Sequence, residues 1–548
     1  MKKRIMAILL GFIFLLSLTS CNLNKKEIVD DKKEEKPETE EDILPFLSGK
    51  TVKGNSFTYD ITMESFNEFK KEMDKALEYV EAETNYEYFK DVYDRAEDDY
   101  YELIDASDIE YLEYSVSGDS SCLDKSEEFS SAKVDLLEWF NKVEHLAFNN
   151  SFKERIWPDK TDEEILEEIG SSMPSEYYEL TKKRTELEND YQLLEYGSNT
   201  YLDDVDEIFV EYVDVTNKIS KYLGYENNLE YTYPEEYRRD YGYEDTDNFF
   251  EYVIEYLIPY YYEAYKNYVD SYKIMNDQQL KKYNEFFFGD CFNEDKFKNI
   301  TNYKKYMGGI LEESYDNLFK KDGYYFISYE KDGFDGAFQQ TIKGTPLVFY
   351  GPGYHDMLTV VHEFGHYTYD LKGGKCFCYD LCETHSQANE LLFLDYYVNN
   401  NSLDENYKKL LINYKLKDTI SSIILFSLVN EIEKICYTKE DLKIGDLKKE
   451  LEKIYQDNET LKNVYTLKNA YSYIADVTMD SPCYYISYAT SLIGSLDIYK
   501  MATKDFNKAK ESYYKLFIYD CENNYRDIYN YAGLHDPLSE DVFKYITM

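Results

Sequence analysis

The chain has 548 residues, and its 108 acidic side chains against 61 basic ones give a formal net charge of −47. A surface this negative repels nucleic acids and anionic lipid headgroups, so neither is an expected ligand. It could attract cationic peptides, although a soluble, self-repelling surface is the simpler interpretation. The 62 Tyr and 31 Phe, with only 10 Pro and 23 Gly, are typical of a large, mostly α-helical protein.

The first residues have the pattern of an export signal. Residues 2–4 are basic, and residues 5–18 form an apolar run that is too short to predict a membrane span. Residues 18–21, with the sequence LTSC, resemble the lipobox of bacterial lipoproteins. The resemblance implies a signal peptide at residues 1–20 and lipidation of Cys21. The alternative is an ordinary secretory signal with a chance cysteine.

Residues 21–50 follow as a tether dominated by Lys, Glu and Asp. Its residues 22–45 have almost no apolar side chains and therefore cannot bury a core. We predict a flexible leash that holds the protein outside the cell, with the lipid anchor as its only contact with the membrane.

From about residue 60 the apolar pattern is helical. Apolar side chains recur at intervals of three and four in Phe66, Phe69, Met73, Leu77 and Val80. We predict an amino-terminal helical lobe over residues 51–214 and a second region over residues 215–548. The polar stretch at residues 198–205 breaks the helical pattern close to this boundary.

Two short segments instead favour β-structure. Residues 324–329 and 346–350 are rich in aromatic and β-branched side chains, with Gly333, Gly336 and Gly344 between them. They predict a small antiparallel sheet just before the next helix. Such a strand could bind an extended peptide by edge pairing or could be purely structural, and the sequence leaves both interpretations open.

That helix carries the sequence HEFGH, which contains His362, Glu363 and His366. The apolar residues 357–361 lead into it, and the Gly-Gly pair at residues 373–374 is predicted to end it. On a helix the two histidines lie on one face and can hold one metal ion. Glu363 is placed to take a proton from a water molecule on that metal. A catalytic zinc site needs a third protein ligand.

A second helical pattern supplies that ligand. Glu383 comes 21 residues after His362, and its carboxylate can complete a His, His, Glu set with an open fourth position. Glu390 lies two helical turns further along and could orient a ligand histidine, the alternative being a solvated surface charge. His385 could compete as a ligand, but it points off the face that carries Glu383.

Eight cysteines remain besides Cys21, an even number that permits disulfides without requiring them. Cys376, Cys378 and Cys382 cluster just after the HEFGH helix, where a second metal site is conceivable. The chain has no matching Cys-x-x-Cys pair, so ordinary thiols are the simpler interpretation.

Tyr485 and Tyr488 are spaced so that both hydroxyl groups can face one cavity. Phenols can donate hydrogen bonds to the oxyanion that forms when an amide is hydrolysed. In a chain with 62 Tyr, the pair taken alone is better explained by core packing.

Together these segments resemble the M3 metallopeptidases, close to the oligoendopeptidase F branch. The matching residues are 361–366, 383–390, 484–489, 223–228 with 239–241, and 532–537. The resemblance covers roughly residues 215–548, and it implies a mostly α-helical, two-lobed body with a deep central channel. A narrow channel implies short peptides as substrates, because it excludes folded proteins.

The resemblance also implies roles for particular residues. One Zn²⁺ per chain would be held by His362, His366 and Glu383. Glu363 would act as general base and later as proton donor. Tyr488, together with Tyr485, would stabilise the oxyanion.

One feature departs from the family. Its members commonly carry a histidine just before the tyrosine segment, whereas this chain has Asp476 and Asp480 in that stretch, and His355 could contribute instead. The alternative function is a lipoprotein that binds peptides or a surface partner without cleaving them. Cleavage preference, oligomeric state and disulfide state do not follow from the sequence.

Overall fold

The computed structural model describes residues 52–53, 57–194, 198, 200–320, 323–331, 333–372, 378–518 and 525–548. The predicted signal peptide, the lipidation site at Cys21, the tether, the Gly-Gly pair and Cys376 all lie outside the described residues. The described part is mostly helical with one small sheet, which confirms the predicted fold class. None of its helices has the length and apolar character needed to cross a bilayer.

Helices account for most of the described chain. Before the sheet lie α1 (Met63–Glu81), α2 (Tyr86–Ser117), α3 (Ser120–Phe148), α4 (Lys153–Ile156), α5 (Asp162–Ile169), α6 (Ser175–Gln192), α7 (Tyr201–Tyr222), α8 (Asn228–Tyr231), α9 (Thr246–Tyr252), α10 (Ile258–Lys273), α11 (Asp277–Phe287), α12 (Glu294–Met307) and α13 (Gly309–Tyr315). After the sheet lie α14 (Met357–Leu371), α15 (Tyr379–Asn400), α16 (Glu405–Thr438), α17 (Asp446–Asp457), α18 (Leu467–Asp480), α19 (Tyr485–Ala502), α20 (Phe506–Ile518), α21 (Tyr525–Ala532) and α22 (Glu540–Thr547). Short π-helical turns occupy Thr232–Glu236, Val253–Leu257 and Asp316–Lys320. Short 3₁₀ turns occupy Tyr243–Asp245 and Glu459–Asn463.

The first helix shows how sequence pattern and local chemistry agree. Thr62 and Ser65 form a reciprocal capping box that satisfies two backbone N–H groups at the start of α1. The apolar face then packs inwards, with Phe66, Phe69 and Val80 buried. The helical period predicted for this segment is therefore confirmed.

Three of the four strands of the sheet lie between α13 and α14 in the chain, and the fourth precedes α1. The sheet contains β1 (Val52–Lys53), β2 (Tyr324–Ile327), β3 (Ala337–Ile342) and β4 (Thr345–Tyr350), in the spatial order β1-β2-β4-β3. β3 and β4 form the predicted antiparallel pair, and β1 is antiparallel to β2. β2 runs parallel to β4, which corrects the prediction of a purely antiparallel sheet. After β2 the chain first forms the outer strand β3 and then returns through a hairpin as β4. β4 therefore lies between β3 and β2 and runs in the same direction as β2.

The hairpin between β3 and β4 turns at Lys343 and Gly344, which have φ angles of 51° and 72°. Two successive positive φ angles match the twist of the paired strands. β4 is the central strand, and its residues 347–350 are fully buried. Because β4 is anchored on both sides, it fixes the point at which the chain enters α14.

The amino-terminal helices contact the face of the sheet. Ile109 and Leu112 of α2 join a buried cluster with Phe326, Leu347 and Phe349. A larger core cluster extends from Ile61 to Ile546 through most of the helices. The boundary that we predict between residues 214 and 215 stays a prediction.

Glu236 is a buried carboxylate whose charge should make stability depend on pH. Burial raises its pKa to about 8 despite the nearby Arg184. Neither carboxylate oxygen has a hydrogen-bond partner among the described residues. A glutamate in the unfolded chain has a pKa near 4.3. Between pH 4.3 and about 8 the native state therefore binds more protons than the unfolded state does. The free energy of unfolding should therefore fall as the pH rises through this window.

We expect Glu236→Gln to lose less stability than the wild type as the pH rises, because the amide has a similar shape and no charge. At pH 8.5 its thermal midpoint should exceed that of the wild type by several degrees, corresponding to about 1–3 kcal/mol. At pH 4.5 the two midpoints should converge. The exposed Glu207 provides the control variant Glu207→Gln, which should follow the wild type at both pH values. Parallel pH profiles for Glu236→Gln and the wild type would contradict this expectation.

Candidate metal centre

The helix α14 begins at a strong cap and carries both histidines of the HEFGH sequence. Asp356 accepts hydrogen bonds from the backbone N–H groups of Leu358 and Thr359, at 2.9 and 3.1 Å. His362 and His366 then project from one face, with ring centroids 5.1 Å apart. The i, i+4 spacing therefore brings the two rings together, as predicted.

The second helix approaches the first very closely at Gly365. A Cβ atom at this position would lie 2.7 Å from the carbonyl oxygen of His385, so a larger residue would push α14 and α15 apart. Asn389 of α15 also donates from Nδ2 to the carbonyl oxygen of Val361, at 2.7 Å. This close packing brings Glu383 of α15 to the two histidines.

The three predicted ligands form one group. Oε2 of Glu383 lies 3.6 Å from Nε2 of His362 and 3.5 Å from Nε2 of His366. All three donor atoms lie within 4.8 Å of one another. Two atoms bound to zinc at about 2.0–2.1 Å and separated by the tetrahedral angle lie about 3.4 Å apart. The donor types and spacing therefore fit a zinc ion with three protein ligands.

Glu383 is held in its ionised form. Burial acts to raise its pKa, but the charges of His366 and His362 and the hydrogen bonds it accepts outweigh burial and lower its pKa to about 2. Ser386 donates to Oε2 at 3.0 Å, and Tyr484 donates to Oε1 at 2.5 Å. A buried, ionised carboxylate with fixed orientation is a suitable ligand for a divalent metal.

Glu390 lies behind the first histidine. Its Oε1 is 2.7 Å from Nδ1 of His362, and its Oε2 accepts a hydrogen bond from Nζ of Lys415 at 2.5 Å. Burial opposes ionisation, but Lys415 and His362 together lower the pKa of Glu390 to about 2. Burial likewise disfavours a charged His362, but the hydrogen bond to Glu390 and the carboxylates around the ring raise its pKa to about 9. With Nδ1 engaged, the Nε2 atom of His362 is the one that faces Glu383.

Glu363 is buried beside the two histidines and lines the same cavity. Burial raises its pKa above the usual range for glutamate, while the histidine charges partly offset this effect. A carboxyl group with a raised pKa is better suited to accept and return a proton near neutral pH.

The tyrosine segment contributes three rings. Tyr485 and Tyr488 both line the cavity, as their spacing predicts, with ring centroids 5.4 Å apart. Sequence reasoning gave no role to Tyr484, although its hydroxyl group contacts Glu383 and its ring lies 5.0 Å from that of Tyr488. Nothing in the residue pattern separates Tyr484 from the many other tyrosines of the chain.

These residues surround a cavity of about 820 Å³. One wall comes from the amino-terminal helices and includes Tyr111, Leu123 and Glu188. The rest of the lining includes the His, His, Glu group, the tyrosines and part of β3. A cavity of this size accommodates a ligand of a few residues.

The remaining candidates have different surroundings. His385 is fully buried between Tyr369 and Phe517, and burial lowers its pKa to about 3. It is not part of the ligand group. The ring of His355 packs against Tyr329, 4.4 Å away, and it is absent from the described lining of the cavity. Asp476 does line the cavity, where it accepts hydrogen bonds from Tyr191 and Tyr201.

The described cysteines show no sign of a second metal site. Cys122, Cys291, Cys378, Cys436 and Cys483 are free cysteines. Within the described part of the chain, the sole cluster of three or more potential metal ligands is the His, His, Glu group. The cluster noted in the sequence includes Cys376, which lies outside the described residues, so its interpretation as ordinary thiols stays a prediction.

Comparison with known proteins finds the same fold in solved structures. A protein assigned as oligoendopeptidase F from Bacillus anthracis matches with a TM-score of 0.61 at 18% identity, over 91% of this chain and 97% of its own. Another structure assigned as oligoendopeptidase F matches with a TM-score of 0.63 at 13% identity, over 89% of this chain and 96% of its own. Pz peptidase A with an inhibitor matches with a TM-score of 0.60 at 14% identity, over 90% of this chain and 98% of its own. No family model and no curated protein sequence matches the chain.

Proposed function

We propose that the protein is a zinc-dependent endopeptidase that hydrolyses short peptides. The main support for this proposal is geometric. The Nε2 atoms of His362 and His366 both lie near one oxygen of Glu383, beside Glu363 and inside a cavity. The fold shared with oligoendopeptidases supports the same class of activity. Fold alone does not fix function, so the site chemistry is the main support.

The side chains divide the reaction between them. A zinc ion held here would lower the pKa of water and polarise the substrate carbonyl. Glu363 accepts a proton from the attacking water and returns it to the leaving amine. Tyr488 and Tyr485 donate hydrogen bonds to the oxygen that becomes negative in the transition state. The buried surroundings strengthen these interactions because they exclude bulk water.

The cavity also suggests how a peptide would bind. β3 is one of the two edge strands of the described sheet, and its residues Ala337, Phe338 and Gln339 line the cavity. An extended peptide could pair with this edge and pass its backbone across the metal ligands. The limited volume favours short, flexible peptides over folded proteins.

Turnover of a quenched peptide library tests the proposal. We expect cleavage by the purified protein, loss of cleavage with a chelator, and recovery when Zn²⁺ is added back. Protein that contains zinc but cleaves no peptide would instead favour a binding role.

Glu390 should tune the affinity for the metal without contacting it. Outer partners of metal-binding histidines typically contribute 10–100-fold in affinity. We therefore expect Glu390→Gln to weaken zinc binding by about 10–100-fold in a chelator competition. The variant should also lose thermal stability, because Lys415 remains as a buried cation without its partner.

The double variant Glu390→Gln with Lys415→Met separates these two effects. It removes the buried cation, so thermal stability should recover while zinc affinity stays low. The exposed Glu405 at the start of α16 provides the control Glu405→Gln. Unchanged zinc affinity in Glu390→Gln would contradict this role.

We also propose that the protein is tethered outside the cell through a lipid on Cys21. The support is the LTSC sequence after an apolar segment. Cells given a clickable fatty acid should label the wild type and not Cys21→Ala, and the variant should leave the membrane fraction. Cys122→Ala is the matched cysteine control. An unlabelled wild type recovered in the medium would contradict the anchor.

A further inference from the structure

The turn between α18 and α19, residues 481–484, has an unusual backbone. Cys483 has a φ angle of 60°, a left-handed conformation that residues with a Cβ atom rarely adopt. Ser481, Pro482 and Tyr484 in this turn all line the cavity. Strained backbone persists only where the surroundings enforce it, and it concentrates at functional sites.

The surroundings hold this turn by three consecutive backbone groups. The hydroxyl group of Tyr237 donates to the carbonyl oxygen of Pro482 at 2.6 Å. Nη2 of Arg239 donates to the carbonyl oxygen of Cys483 at 3.0 Å. Oε1 of Glu433 accepts from the N–H group of Cys483 at 2.7 Å. Tyr237, Arg239 and Glu433, which we call the turn clamp, are all buried.

Arg239 also ties the turn to the helix that carries the third metal ligand. Its Nη2 donates to Oγ of Ser487 at 2.8 Å, and its Nε donates to Oδ1 of Asp380 at 3.3 Å. Asp380 lies one helical turn before Glu383 in α15. One guanidinium group therefore links the start of α19 to the ligand helix.

The chemistry of the clamp is poorly explained by stability alone. Both Arg239 and Asp380 have fully buried side chains. A buried ion pair is often no more stabilising than an apolar replacement of equal volume, but it demands a defined geometry. The turn clamp therefore fixes the geometry of residues 481–484. The last residue of this turn, Tyr484, donates a hydrogen bond to Glu383.

We infer that Tyr237, Arg239 and Glu433 are positioning residues, which hold Cys483 in its strained conformation and thereby fix Tyr484, Tyr485 and Tyr488 over the metal ligands. The inference rests on the proposed peptidase function. The clamp residues act through the turn and are absent from the described lining of the cavity.

A pair of substitutions at Cys483 tests the inference. Glycine adopts a positive φ angle without strain and leaves the turn free to move, whereas alanine keeps the constraint and removes only the thiol. With excess zinc, we expect kcat of Cys483→Gly to be about 10-fold lower than that of Cys483→Ala, because small displacements of catalytic groups are costly. KM should stay within about two-fold. The thermal midpoint of Cys483→Gly should be no lower than that of Cys483→Ala.

A second pair of variants tests the clamp itself. Tyr237→Phe removes the hydroxyl group that holds Pro482 and should lower kcat by about 10-fold. Tyr514 provides a matched control, because its hydroxyl group donates to the carbonyl oxygen of Gly308 at 2.6 Å and Tyr514 is absent from the described lining of the cavity. Tyr514→Phe should keep the wild-type kcat at a similar thermal midpoint.

Zinc affinity separates failure of this inference from failure of the proposed function. If the wild type cleaves no peptide, the peptidase proposal fails, but the hydrogen bond between Tyr484 and Glu383 still depends on the turn. Cys483→Gly should then bind zinc about 10-fold more weakly than Cys483→Ala. Equal zinc affinity and equal kcat in these two variants would overturn the inference. A kcat that falls only in proportion to thermal stability would overturn it as well.

Discussion

Glu363→Gln should retain the metal and lose nearly all peptide turnover. Glutamine has almost the same shape as glutamate, so the proposed ligands His362, His366 and Glu383 should keep their positions. Its amide cannot accept the proton of the attacking water, and general base catalysis contributes about 10²–10⁴-fold. We therefore expect kcat to fall by about 10³-fold or more, with KM nearly unchanged.

The measurement combines single-substrate kinetics with zinc content in the same preparation. Glu207→Gln, at an exposed position, controls for loss of a carboxylate in general. Wild-type turnover in Glu363→Gln at full zinc occupancy would remove Glu363 from the mechanism. A loss of turnover accompanied by loss of zinc would instead assign Glu363 to metal binding.

Glu383→Gln should abolish stable metal binding. In the proposed site the carboxylate would supply the third ligand and the only negative charge of the ligand set, and its charge is already stabilised in the protein. Outer partners alone contribute about 10–100-fold to metal affinity, so loss of a direct ligand should cost at least about 100-fold. Peptide turnover should fall with zinc occupancy.

Chelator competition and circular dichroism together check this expectation. The amide oxygen of glutamine can still accept from Tyr484 and Ser386, so the fold should be retained. Glu405→Gln is the matched control on the neighbouring helix α16. Zinc affinity equal to that of the wild type would show that Glu383 is not a ligand.

The parts of the site that the sequence predicts well depend on local periodicity. The HEFGH spacing and the helical phase of Glu383 and Glu390 are short-range properties, so their placement follows once both segments are helical. The packing of α14 on α15 follows in part from Gly365, whose missing side chain permits the close approach. Sequence reasoning had no means of recognising that role for a single glycine.

The parts that the sequence does not predict depend on contacts distant in the chain. The strand order places β2 beside β4 in parallel, and no residue pattern encodes which strands become neighbours. Lys415 reaches Glu390 from another helix. Arg239 contacts the turn at Cys483 across 244 positions. Such pairings arise from tertiary packing, and a single sequence contains no periodic trace of them.

Measuring bound zinc and peptide cleavage in one preparation tests the proposed peptidase function most directly. We expect one zinc ion per chain, cleavage of short peptides from a quenched library, and loss of both when a chelator removes the metal. Zinc bound at one ion per chain with no cleavage of any peptide would contradict the proposed function and would favour a peptide-binding protein on the same scaffold.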